Sequence, residues 1–165
     1  HKIENFEYTN KCIPGLQSLI ASGYHLIIVT NQAGIAKGLF SVEDYQNLMD
    51  WMEDDLKPFG VNFMDILFCP HHPEGVVSNF TKSCNRRKPL PGMFFEAQNR
   101  FDIDMENSIM IGDKESDIEA AKSAGVGRTF LVRSGHVISK NFIDGVTIFD
   151  DLFAVSSHLE KEKLL

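Results

Sequence analysis

Ile109-Met110-Ile111-Gly112-Asp113-Lys114-Glu115-Ser116-Asp117 is the stretch that decides the fold. Three apolar residues end in a glycine, followed by a segment holding the acids Asp113, Glu115 and Asp117. A short apolar run bounded by glycine reads as a strand buried on both faces. The next residues, Ile118 to Ala124, have helical spacing and stop at Gly125. Strand, acidic turn and helix in that order make one unit of an open α/β sheet. In such sheets ligands bind at the carboxyl ends of the strands. Gly112 permits a sharp turn there. Carboxylates beside a helix N-terminus can ligate Mg²⁺, a hard cation that prefers oxygen. The alternative is plain capping of the helix by Ser116 or Asp117. On these residues alone the two readings stand level.

Upstream, Ile13-Pro14-Gly15 precedes a helical stripe of Leu16, Leu19 and Ile20 that Gly23 ends. His25 to Thr30 is a short apolar strand, and Asn31 to Phe40 reads as a loop with two glycines. Ser41 caps a second helix, with Glu43 and Asp44 in its first turn and a stripe of Tyr45, Leu48, Met52 and Leu56. Ile66-Leu67-Phe68 is a second strand, Cys69 to Pro91 is irregular, and Met93 to Phe101 is helical. Ser108 to Ile111 is the third strand and Arg128 to Val132 the fourth. A short strand near Val146 to Phe149 and a last helix close the chain, with Lys161-Glu162-Lys163 at its solvated end. Strands alternating with helices predict a three-layer α/β/α sandwich around a parallel, Rossmann-like sheet.

Composition bounds the function. At 165 residues, one domain spanning 1–165 with a real core is expected. A net charge of -7 argues against nucleic acid or an anionic membrane as partner. It leaves room for an anionic small molecule in a locally basic pocket. No apolar run approaches a membrane span, and no signal peptide is visible. Cys12, Cys69 and Cys84 are too few for a disulfide framework, so a reducing cytoplasm is expected; a monomer is expected too. The sequence opens at His1 in mid-phrase, without Met, and the natural protein is expected to be longer.

Two further segments carry chemistry. Thr30-Asn31-Gln32 follows a strand, where a hydroxyl and amides can hold phosphate oxygens or simply make a turn. Arg86-Arg87-Lys88-Pro89 places consecutive cations on an acidic chain. Arg offers phosphate a fork and Lys a point charge. A solvated loop is the other reading, and it is the one favoured for Arg86.

Together these segments are far more specific than any one of them. The order Thr30, Lys88, Gly112-Asp113 with Asp117 resembles the second, third and fourth motifs of the haloacid dehalogenase superfamily. Four longer phrases narrow the match: Thr30 to Gly38, Cys69-Pro70-His71-His72-Pro73, Arg87 to Met93, and Gly112-Asp113-Lys114. They look like the heptose bisphosphate phosphatases, whose nearest relatives are the phosphatase halves of bifunctional histidine-biosynthesis enzymes.

The resemblance implies a haloacid dehalogenase-like fold with no large cap domain. It implies Mg²⁺-dependent hydrolysis of a phosphorylated sugar through an aspartyl-phosphate. That reaction serves synthesis of ADP-heptose, a lipopolysaccharide core precursor. Thr30 and Lys88 would hold the phosphoryl group and Asp113 the Mg²⁺. Thr30, Asn31, Gln32, Ala33, Arg87, Lys88 and Lys114 would contact substrate, with 69–91 as a metal-type specificity loop. The family's first motif, Asp-x-Asp-Gly on the first strand, does not occur in these residues, so the sheet is expected to lack that strand and the chain as given to lack turnover.

Zinc is the second departure. Cys69, His71 and Cys84 match three of the family's loop ligands, but Arg86 stands at the fourth. Either zinc is bound with His72 or water completing the shell, or prolines and packing order the loop around free thiols. Two other activities stay open: a histidinol-phosphate phosphatase, and a non-catalytic phosphate-binding domain.

Overall fold

The computed structural model describes residues 2–133 and 146–163; His1 falls outside them. Its strands form two parallel groups. β1 (Ile27–Asn31) pairs with β2 (Asp65–Cys69), Thr30 standing opposite Phe68. β3 (Ile109–Gly112) pairs with β4 (Arg128–Val132), and β4 with β5 (Thr147–Phe149). Every pairing among the described residues is parallel, an arrangement that two-residue hairpins cannot connect.

The helices are α1 (Cys12–Ala21), α2 (Ala33–Ala36), α3 (Val42–Leu56), α4 (Gly92–Phe101), α5 (Glu115–Ser123) and α6 (Leu152–Lys163). Alternation along the strands assigns them to layers. On β3, Ile109 and Ile111 face a core with Leu19 of α1 and with Val155 and Leu159 of α6. Met110, between them, packs with Phe94 of α4 and with Ala120 and Ala121 of α5. On β1 and β2, Ile28 and Ile66 join Leu16, Met52 and Leu56, whereas Ile27, Val29 and Leu67 join Met93 and Ala97. So α1, α3 and α6 cover one face and α4 and α5 the other, giving the expected three layers.

Between β1 and β3 the sheet is open. Among the described residues neither strand has a partner on the edge turned toward the other. An apolar slot of about 600 Å³ runs between them, lined by Ile27, Ile28 and Val29 on one side and Ile109, Met110 and Ile111 on the other. Leu19 and Leu159 close one end of the section and Phe94 and Ala97 the other. A five-residue strand occupies very roughly 17 Å by 5 Å by 10 Å, a similar volume. The slot therefore explains why every residue of β1 is only half-buried, where the sequence predicts burial on both faces.

Local differences from the sequence reading have physical causes. Asn31 to Phe40 is not all loop: Asn31 ends β1, and α2 follows, held by burial of Ile35 and Ala36. Helix α1 takes in Ile13-Pro14-Gly15, because proline is tolerated in a first turn whose N–H groups lack helical acceptors. Gly23 and Gly125, at φ of +87° and +82°, supply the left-handed turns that stop α1 and α5.

Candidate active site

β1 and β3 deliver the site at their carboxyl ends. Thr30 and Asn31 close β1, and Asp113 follows Gly112 at the end of β3. Lys88 comes from the loop before α4 yet is 8% exposed, so its charge needs partners. Its Nζ donates to the Val29 carbonyl at 2.6 Å and lies 2.6 Å from Asp117 Oδ1. An ammonium has three donors, and the third is the one that can meet a phosphoryl oxygen.

The Lys88 backbone is held as well. Lys88 N–H donates to Asn31 Oδ1 at 3.1 Å, and Asn31 Nδ2 donates to the Lys88 carbonyl at 2.9 Å. Both ends of the Asn31 amide are thus engaged by the protein, where the sequence reading places Asn31 on substrate. Gln32 Nε2 donates to Thr30 Oγ1 at 3.1 Å, which turns the threonine proton outward as a donor.

Asp117 is a helix cap, as one of the two readings expects, and it also faces Lys88. Its Oδ2 accepts from the Asp113 and Lys114 amides at 3.2 and 3.1 Å, while Oδ1 faces Lys88. The carboxylate caps α5 and links β3 to the Lys88 loop. Gly112 is needed for space here. A Cβ on it would lie 2.5 Å from Asp117 Cβ, whereas its φ is not in the left-handed range. The sharp turn expected from sequence is therefore not the reason for the glycine. Asp113 and Arg87 are half-buried and Lys114 is exposed. Arg87 Nη1 donates to the His71 carbonyl at 3.2 Å. Two residues after Asp113, Glu115 Oε1 is buried with no hydrogen-bond partner among the described residues, a signal that sequence reasoning missed.

Beside this site Cys69, His71 and Cys84 converge. The sulfurs are 3.3 Å apart, and His71 Nδ1 is 3.9 Å from Cys69 Sγ and 3.2 Å from Cys84 Sγ. A tetrahedral zinc would hold such donors roughly 3.6–3.8 Å apart, so these three fit one within a few tenths of an ångström. Among the described residues no further His, Cys, Asp or Glu joins them. His72 is engaged elsewhere, its Nδ1 accepting from the Glu74 amide. Burial pushes the Cys69 thiol up to about 11, and the neighbouring Cys84 adds to this. Burial, then Lys82 and Arg86, hold His71 below the usual imidazole range. Arg86 is not the solvated residue expected: its Nε lies 3.1 Å from Glu96 Oε2, within ion-pair range but off the line a hydrogen bond needs.

The loop itself sits on α2. Val76 and Val77 donate to the Ala36 carbonyl at 2.7 and 3.0 Å, which brings 69–91 over the turn after Thr30. Among the described residues nothing resembles a separate cap.

Known proteins share both the sequence and this geometry. The family model described as HAD-hyrolase-like matches residues 85–141. A D-glycero-alpha-D-manno-heptose-1,7-bisphosphate 7-phosphatase of Photorhabdus laumondii is 48% identical over 97% of this chain and 87% of its own. A D-glycero-beta-D-manno-heptose-1,7-bisphosphate 7-phosphatase of Yersinia pestis is 45% identical over 84% of this chain and 74% of its own. Among solved structures, the D,D-heptose 1,7-bisphosphate phosphatase of B. bronchiseptica, complexed with magnesium and phosphate, superposes with a TM-score of 0.83 at 27% identity. That match covers 98% of this chain and 88% of the other. With Thr30, Lys88 and Asp113 gathered at the strand ends and relatives this similar over most of their length, the chain belongs to the haloacid dehalogenase-type heptose-1,7-bisphosphate 7-phosphatase family.

Proposed function

We propose that the intact protein removes the 7-phosphate of D-glycero-D-manno-heptose 1,7-bisphosphate. It would do so as a cytoplasmic monomer, in the synthesis of ADP-heptose for the lipopolysaccharide core. One observation carries this reading: a hydroxyl, an ammonium and a carboxylate from three distant segments meet at the carboxyl ends of β1 and β3, on either side of a strand-wide slot.

An extended strand in that slot would end between Thr30, Lys88 and Asp113. By the family resemblance it carries Asp-x-Asp. The first carboxylate attacks phosphorus in line, and the sugar oxygen leaves with a proton from the second. Water, deprotonated by that second carboxylate, then hydrolyses the aspartyl-phosphate and releases phosphate. Thr30 O–H and Lys88 Nζ donate to the phosphoryl oxygens throughout, where their fixed positions favour the transition state.

Asp113 would hold the Mg²⁺, and the oxygen of Glu115, two residues on and without a hydrogen-bond partner among the described residues, suits a site that takes a cation. When bound, Mg²⁺ supplies the positive charge that lets two anions approach. Arg87 and Lys114 recognise the substrate, Gln32 and Ala33 border its sugar end, and 69–91 is the specificity loop. Cys69, His71 and Cys84 would hold a structural zinc whose fourth ligand is not a protein thiolate.

The test is turnover by the full-length enzyme with Mg²⁺, on heptose bisphosphate and on histidinol phosphate. Faster hydrolysis of histidinol phosphate would reassign the substrate, and no turnover of either would favour a non-catalytic phosphate-binding role. Asp113→Asn should keep its melting temperature and lose at least about 100-fold in kcat. Parent-level turnover by that variant would remove Asp113 from the mechanism.

A further inference from the structure

The loop that carries Lys88 is fastened at two places by different chemistry. Its start converges on the cluster of Cys69, His71 and Cys84. Its end is tied to β1. Asn31 bonds both polar groups of the Lys88 backbone across 57 positions of sequence, as a neighbouring strand would. The Lys88 ammonium is bonded to the carbonyl of Val29, two residues before Asn31 on the same strand. One short segment of β1 thus fixes both the main chain and the side-chain tip of Lys88.

The stretch between the two fastenings has attachments of its own. Arg86 faces Glu96 of α4, and Gly92 N–H donates to the Asn85 carbonyl at 2.9 Å. A Cβ on Gly92 would lie 2.5 Å from that oxygen, so the loop and the start of α4 are closely packed. Arg86 is at the position where the family resemblance implies a fourth ligand, and it joins α4 instead of the cluster.

We propose that Asn31 is the positioning residue for Lys88, and that its two hydrogen bonds make the placement of Lys88 independent of metal at Cys69, His71 and Cys84. This rests on Lys88 as the phosphoryl-holding group. Loss of metal disturbs residues 71–84, while 85–92 keep their place on β1 and α4. Loss of the Asn31 amide removes both bonds to the Lys88 main chain, so the segment leans more on Arg86 and on the metal cluster, and Lys88 becomes more sensitive to metal.

The experiment uses the full-length enzyme with Mg²⁺ and heptose bisphosphate, before and after dialysis against a zinc-selective chelator. Metal content, kcat, KM and hydrogen exchange of 85–92 are measured together. In the parent, chelation should change kcat by less than about two-fold and leave exchange of 85–92 unaltered, because positioning does not depend on metal. Parent enzyme that purifies without zinc yet turns over at full rate supports the proposal equally. Asn31→Ala should lose about ten-fold or more in kcat with KM within about three-fold, and a further five-fold or so on chelation. Asn31→Asp keeps the acceptor for Lys88 N–H but has no donor for its carbonyl, and should fall between parent and Asn31→Ala.

Two results overturn the proposal: Asn31→Ala at the parent rate, or a parent that loses both turnover and protection of 85–92 on chelation. The second needs no variant, so it stands even if Asn31→Ala fails to fold. Lys88→Met separates the levels. If it turns over like the parent, the phosphoryl-holding reading fails. If it is inactive while Asn31→Ala is unaffected, this inference alone fails.

Discussion

Asp117 shows how much one side chain can be asked to do. It caps α5 with one oxygen and neutralises Lys88 with the other, at 4% exposure. Gly112 exists to leave it room. Gly112→Ala should force Asp117 away from the amides and from Lys88, destabilising the protein by about 1–3 kcal/mol, as over-packing does. Turnover should fall by at least about ten-fold as Lys88 loses its partner. A variant with parent melting temperature and parent kcat would show that α5 moves aside freely. At this scale Thr30 and Asp113 stood out in the sequence as candidates because each pairs a suitable chemistry with the end of an apolar run, and Lys88 because it closes a run of cations on an acidic chain. Asn31 was legible only as a residue near phosphate. Its partner is 57 residues away, and no local pattern reports a bond of that span. Glu115 was read only as one of three acids after the strand, since an oxygen left without a partner among the described residues is a property of packing.

Elements were legible where periodicity was long. Helix α3 is the clearest case: its stripe is buried as read, and Ser41 and Asp44 form a reciprocal capping box. The four-residue α2 has too few turns to show a period, and it was read as loop. The packing of α1 on α6 was equally invisible from sequence. It depends on Gly15, where a Cβ would lie 2.9 Å from both Leu152 Cγ and the Phe153 amide nitrogen. Two effects compete at Gly15→Ala. Helix propensity favours alanine by about 1 kcal/mol. Contact with a backbone atom cannot be relieved by rotating a side chain and costs about 1–3 kcal/mol. We expect the clash to win, lowering the melting temperature by several degrees in a calorimetric scan. A rise would mean that α6 slides on α1 at little cost. Active-site kinetics should be unchanged at temperatures where the variant is folded, because neither helix touches Thr30, Lys88 or Asp113.

For the whole molecule, layer order and parallel pairing followed from the alternation of strands and helices. The division into two strand groups followed only from the missing first motif. The slot between β1 and β3 is where the nucleophile is expected to arrive, so the 165-residue chain alone should show no Mg²⁺-dependent turnover of heptose bisphosphate. Measurable turnover by that purified chain would mean that another residue attacks phosphorus.

The same slot has a consequence for solubility. Among the described residues each of its walls is a strand edge with no strand paired to it, and although Lys88 holds the Val29 carbonyl, such edges can accept another chain. With apolar side chains above and below, such edges recruit whatever extended segment is at hand, including one from a second copy. Concentrated solutions of the 165-residue chain should therefore form oligomers that grow with protein concentration in sedimentation runs. A short apolar peptide able to lie along both edges should dissolve them, because it competes for the same backbone groups. A chain that stays monomeric at high concentration without any such peptide would mean that the two halves close on each other and hide their edges.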